Sequence, residues 1–370
     1  MKLSDICDVY SGYAFKTFND LGHGVPVIKI SNLLTDGSID LINCLFTTEN
    51  IKDKFYSKKS DIYIALSGAT TGKISIMDKD DTFAINQRVG IVRNRSTIPN
   101  EYLKYFLMSK SNRILEEASG CAQPNISPKQ IANYDVPKCS GAEMNEIVSE
   151  LRKIDKIKNT YQKQLELLDE LVRARFVEMF GDPISNSKDL PIKKMNDIAP
   201  ICQYKGPFED DVWLLNLDMV ESQSGRIIKH NIVHMDEIGG SVCTFDENNI
   251  LYSKLRPYLN KVVIPDGKGY ATSELVPLLP NNKVINRTYL AYLLRSNEFV
   301  EMIKEKVAGA KMPRVSMNDF REFNVPVPPL ELQNQFASFV EQIDKSRSHI
   351  QKSLEASQEL FDSLMQEYFG

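Results

Sequence analysis

From Ile147 onward, apolar residues fall at alternating steps of four and three: Ile147, Leu151, Ile154, Tyr161, Leu165, Leu168, Val172 and Met179, with gaps at Lys158 and Arg175. The same frame returns at Phe336, Val340, Ile343, Ile350, Leu354, Phe361, Leu364 and Tyr368, with gaps at Arg347 and Ser357. A heptad pattern sustained for nearly five repeats predicts a long helix with one apolar seam. A helix of about 38 residues runs roughly 57 Å. That is longer than a domain of about 140 residues is wide. The two helices are therefore expected to pair with each other rather than lie on their own domains.

Outside the seams the pattern changes. Residues 1–141 and 190–330 carry short β-rich runs, such as 25–30 and 250–252, broken by Gly, Asn, Asp and Pro. Such runs predict short strands in mixed folds. Near the end of each region a helix is expected, over 100–118 and again over 286–307. An extended stretch follows, closing on Pro137 in the first region and on Pro326, Pro328 and Pro329 in the second.

The two halves also repeat in letters. Leu3-Ser4-Asp5-Ile6-Cys7 is answered by Met195-Asn196-Asp197-Ile198-Ala199, and Asp61 through Ile74 by Asn249 through Val262, 188 positions later. Ile154-Asp155-Lys156 recurs as Ile343-Asp344-Lys345, and Phe180-Gly181 as Phe369-Gly370. A unit of about 185 residues is far longer than a solenoid repeat, so each copy is expected to be a domain with attachments. The expected fold is α+β, with two pseudo-twofold-related mixed α/β domains separated by an antiparallel two-helix coiled coil. Its parts are a head over 1–141, a spacer helix over 142–181, a linker and second head over 182–330, and a second spacer helix over 331–370. Met1 and Gly370 then become neighbours. Targets of such twofold molecules usually carry two half-sites.

Composition adds constraints. No apolar run approaches the roughly 18–20 residues of a membrane helix, and the first residues lack the apolar core of a signal peptide. Six scattered cysteines with no Cys-x-x-Cys pair suit the reduced thiols of a cytoplasmic protein. The net charge is −4. No global basic balance advertises nucleic acid, so local patches would have to supply the contact.

The chemistry-bearing motifs are weak. Gly68-Ala69-Thr70-Thr71-Gly72-Lys73 is one residue short of a phosphate loop, and Ile74 stands where its hydroxyl should be. The better reading is a loop presenting hydroxyls and a lysine. His230 and His234 have metal-ligand spacing but no following glutamate and β-like surroundings. Asp266 and Glu274 lack the lysine of a nuclease site, no Ser/His/Asp pattern appears in both halves, and no Asn/Asp-Pro-Pro-aromatic tetrapeptide of an amino-methyltransferase is present. No metal site is expected.

What remains are matching loops with divergent polar side chains. In the first half the DNA-binding candidates are Ser67, Thr70, Thr71, Lys73, Gln87, Arg88, Gln123 and Asn125; in the second they are Lys254, Arg256, Tyr258, Lys261, Lys311 and Arg314. The cations suit phosphates and purine edges, and Gln87, Gln123 and Asn125 have the bidentate geometry for adenine.

With these residues in view, the chain resembles the specificity subunits of type I restriction–modification systems. The matching stretches are Asp61 through Lys73, Ile85-Asn86-Gln87, Asn249 through Lys261, and Met179-Phe180-Gly181-Asp182. Pro137 and Val325-Pro326-Val327-Pro328-Pro329-Leu330-Glu331-Leu332-Gln333 lead into the heptad helices. The first of these entries, Val136-Pro137-Lys138-Cys139-Ser140-Gly141, departs from the Pro-Pro-Leu-Glu-x-Gln form of the second. The resemblance implies two target-recognition domains, each reading half of a split DNA sequence, with the helices as a fixed spacer. It implies no active site and no cofactor in this chain. Two adenine-methylating subunits and ATP-driven restriction subunits are the implied partners, carrying S-adenosylmethionine, ATP and Mg. Competing readings are a two-headed protein scaffold without DNA, favoured by the acidic pI, and an enzyme acting at the 68–73 loop.

Overall fold

The computed structural model describes residues 1–119, 124–308 and 312–370, with backbone alone at 307 and 308. The chain divides into two compact units, Met1–Lys163 with Gln351–Gly370, and Gln164–Ile350. Each boundary falls inside a long helix. Each unit therefore holds a head, one half of the first long helix and one half of the second, a grouping that cuts across the four-part division of the sequence.

In the first unit, α1 (Leu3–Ile6) leads into β1 (Cys7–Ser11), β2 (Val25–Ile28), β3 (Leu45–Thr47), β4 (Ile62–Ala65), β5 (Ile74–Ile76), β6 (Ala84–Ile85) and β7 (Val89–Asn94). Helices α2 (Asn100–Ser109), α3 (Ser111–Ala118) and α4 (Pro128–Ala132) precede the long helix α5 (Gly141–Phe180). One sheet has the order β1-β7-β4-β5, antiparallel throughout. The other has the order β3-β2-β6, with β2 and β6 parallel. Strand β4 is buried on both faces, and its alternation says why. Ile62 and Ile64 enter a core with Leu103, Phe106 and Leu151, while Tyr63 and Ala65 enter a second with Ile28 and Ile85. At its start Asp61, 2% exposed, accepts from Nε and Nη2 of Arg93 in β7 at 2.8 and 2.6 Å.

The second unit repeats this plan. It contains β8 (Ile192–Lys194), α6 (Met195–Ile198), β9 (Asp211–Leu215), β10 (Ile232–His234), β11 (Val242–Phe245), β12 (Ile250–Ser253), β13 (Val262–Val263), β14 (Gly269–Thr272) and β15 (Leu275–Leu278). Then come α7 (Arg287–Arg295), α8 (Asn297–Lys304), β16 (Val307–Ala308), β17 (Arg314–Val315), α9 (Met317–Arg321), β18 (Asn324–Pro326) and the long helix α10 (Leu330–Phe369). Strand β12 lies antiparallel between β13 and β15, as β4 does between β5 and β7. Strand β9 runs parallel to β14, as β2 does to β6. Again the central strand feeds two cores, with Ile250 and Tyr252 on one side and Leu251 on the other.

The single helix expected near the end of each head is two helices. In the first unit the chain breaks at Lys110, whose N–H turns back to the Leu107 and Met108 carbonyls. In the second, Ser296 is extended and its hydroxyl accepts the Phe299 N–H at 3.2 Å, capping a new helix. Position 307, expected as the helix end, begins β16.

The heptad frame holds in part, since the off-frame Val148, Phe176, Phe180, Met365 and Phe369 are buried as well. Leu151, Ile154, Val172, Phe336, Val340 and Phe361 are buried, whereas the off-frame Ile157, Leu167, Leu171 and Val177 are about half exposed. In the first unit Tyr368 donates to Glu150, and the Lys158 ammonium sits 4.2 Å from the Phe361 ring centroid. In the second, Phe176 packs edge-on to Phe336, and Arg347 donates to Asp169 at 2.6 Å. Within each unit, partner numbers fall along α10 as they rise along α5, so the helices pair antiparallel. Met1 packs against the same core that Phe369 enters. The departure at the first helix entry is resolved locally. Ser140 and Glu143 exchange bonds in a capping box, where α10 instead buries Gln333 against the Val284 and Pro328 carbonyls.

Candidate nucleic-acid interface

Three loops converge at the end of the central strand in each unit. In the first, Leu66 N–H donates to the Arg88 carbonyl at 2.9 Å, and the Leu66 carbonyl accepts from Ile126 N–H at 2.9 Å. Gly68 N–H donates to Pro124, and Ala65 N–H to Lys73. The second unit repeats all four bonds: Lys254 to Glu274 at 3.0 Å, Val315 to Lys254 at 2.9 Å, Arg256 to Pro313, and Ser253 to Lys261. One backbone frame is thus built twice. Arg88 and Glu274 occupy one equivalent place in it, and Asn125 and Arg314 another.

The glycines of the 68–73 loop serve this frame. Gly68 and Gly72 have φ +85° and +87°, and a Cβ at Gly72 would press the Ser111 carbonyl at 3.2 Å. At the same places in the second unit, Arg256 and Asn260 hold the left-handed backbone, at φ 49° and 50°. Asparagine tolerates that region, while arginine is strained there by roughly 1–2 kcal/mol. The N–H groups of Gly68, Thr71, Gly72 and Lys73 all donate to backbone carbonyls. A phosphate cradle needs such groups free, and here three close the loop on itself while Gly68 ties it to Pro124.

The candidates fall into distinct settings. Gln87 and Arg88 are exposed at the tight turn before β7, and Asn125 is exposed beside half-buried Ser67, with which it forms a bridge. Lys73 is half-buried. The expectation of presented hydroxyls is corrected at two positions. Thr71 is buried and donates to the Gly68 carbonyl at 2.7 Å, and the Thr70 hydroxyl is enclosed. Lys261 is also turned inward. Its ammonium donates to the Leu217 carbonyl at 2.6 Å, and burial pulls its pKa below the usual lysine range. Lys254 is half-buried, Arg256 and Tyr258 are exposed, and Arg314 is exposed with its guanidinium on Glu274. That bond holds the Glu274 carboxyl below its ordinary range. Gln123 and Lys311 lie outside the described residues. His230 stacks on Trp213 at 4.7 Å, and His234 faces Asp236.

Sequence reasoning missed the Glu274–Arg314 pair, whose members stand 40 positions apart. The left-handed backbone at Arg256 and Asn260 was also missed. Alignment of Asn260 with Gly72 was the available signal for it.

Comparison with known proteins agrees with the repeat. The profile of the type I restriction modification DNA specificity domain matches residues 1–168 and 224–357. The EcoDI specificity subunit of Escherichia coli is 22% identical over 86% of this chain and 78% of its own length. The MjaVIII specificity subunit of Methanocaldococcus jannaschii is 30% identical over 86% of this chain and 82% of its own. The crystal structure of the type I restriction-modification S subunit from M. genitalium aligns over all of this chain and 95% of that one, with TM-score 0.55 and 16% identity. A chain from a structural study of type I R-M complex assembly and conformational transition aligns over all of this chain and 96% of that one, with TM-score 0.56 and 14% identity. The chain belongs to the type I restriction–modification specificity family.

Proposed function

We propose that each unit reads one half of a bipartite duplex DNA target through its three-loop frame, and that α5 and α10 set the distance between the halves. The observation that carries this reading is the four-bond frame, built twice with different side chains. One scaffold carrying two sets of donors and acceptors suits an asymmetric target. Heads on a stiff helical pair can dock in successive major grooves when half-sites lie near one turn apart, roughly 34 Å. The helices also dock two methyltransferase subunits, with Leu167, Leu171 and Val177 offering apolar surface off the seam. Restriction subunits join that complex, and S-adenosylmethionine, ATP and Mg reside on the partners. Catalysis then lies outside this chain. The setting is cytoplasmic; among the described residues no helix is long and apolar enough to cross a membrane.

Salt titration of duplex binding by the assembled methyltransferase complex tests the reading. Affinity is expected to fall steeply with salt as counterions are released. Lys254→Ala and Arg256→Ala should each reduce the log–log slope by about one. Lys261→Ala should leave the slope unchanged, because its ammonium already holds Leu217. Binding indifferent to salt in the unmodified complex would favour the scaffold reading instead.

A further inference from the structure

Arg314 and Glu274 are brought together by Lys254, which bonds the Glu274 carbonyl through its N–H and the Val315 N–H through its own carbonyl. Arg314 lies in β17, paired with β16, where the buried side chain of Val315 leaves its neighbour on the outward face. Its Nε and Nη2 donate to the Glu274 carboxylate at 2.8–3.2 Å. That occupies one side of the guanidinium. Nη1 and the outer N–H of Nη2 have no protein partner among the described residues. This end-on fork is the edge that matches O6 and N7 of guanine. An exposed ion pair adds little to stability, but a guanidinium already held in place loses less freedom on binding.

We propose that Arg314 reads a guanine in the half-site of the second unit, and that Glu274 is its positioning residue. The inference rests on the DNA-reading role proposed above. The first unit holds Arg88 and Asn125 at the equivalent places, so its frame offers no counterpart of this buttressed fork.

The test is selection from duplexes randomised over the target, using the complete methyltransferase complex. The unmodified complex should enrich one guanine in the second unit's half-site. Arg314→Ala should reduce that preference about tenfold to a hundredfold, leaving the other half-site unchanged. The swap Glu274→Arg with Arg314→Glu keeps an ion pair but moves the fork, so it should not restore guanine. Restoration of guanine by the swap would mark the pair as structural and overturn the inference. So would unchanged preference in Arg314→Ala, or equal weakening for every sequence up to complete loss of binding. Should the alanine variant not melt cooperatively, Arg314→Lys keeps the charge without the planar fork and must show the same loss of preference. Failure of the unmodified complex to select any sequence would instead refute the DNA-reading role itself.

Discussion

Replacing Phe336 by alanine is expected to destabilise the second unit by about 3–5 kcal/mol. Phe336 is fully buried, with ring centroids of Phe176 and Phe180 each 5.5 Å away and that of Tyr292 at 5.4 Å. Its removal opens a cavity where α5, α7 and α10 meet, and the rigid rings around it can collapse only in part. The protein has a single tryptophan, Trp213, in the core of this same unit. Its fluorescence therefore reports on the core of the second unit. The urea midpoint should fall by roughly 1–2 M, taking a slope near the upper end for such units. A midpoint within about 0.3 M of the parent would show that the α5–α10 seam contributes little there.

A similar cost is expected in the first unit from Asp61→Ala. Arg93 there is 16% exposed, and the two-point bond to Asp61 offsets much of its desolvation. Without the carboxylate, the guanidinium keeps the Lys54 and Tyr56 carbonyls and the Tyr10 ring, none of them a countercharge. Breaking one side of such a pair costs about 3–5 kcal/mol. The double variant Asp61→Ala with Arg93→Met should cost less than Asp61→Ala alone, because no charge is stranded. Hydrogen exchange of the β4 and β7 amides measures this, and the Trp213 transition should stay in place. Exchange unchanged in Asp61→Ala, or fastest in the double variant, would contradict the assignment.

The long helices were legible because a period of three and a half residues, held through forty, suits little besides a helix with one apolar seam. Their gaps also became intelligible: Lys158 covers the Phe361 ring, and Arg347 reaches Asp169. The breaks at Lys110 and Ser296 were hidden because the apolar pattern continues across them, and a local cap overrides the period. At the candidate interface, the repeated framework was visible in the letters, but which side chains face outward was not. Thr71 and Lys261 look like ligand-facing residues in sequence and turn inward, each donating to a backbone carbonyl, of Gly68 and of Leu217. The Glu274–Arg314 pair depends on β17 meeting the β14–β15 turn. No spacing in the chain announces that meeting.

Mapping methylated adenines in a host carrying the partner genes tests the division of reading most directly, once residues 1–141 are exchanged for the first head of a related specificity chain. The account predicts a site in which one half is new while the other half and the spacing persist. A wholly new site, or an unaltered one, would contradict it.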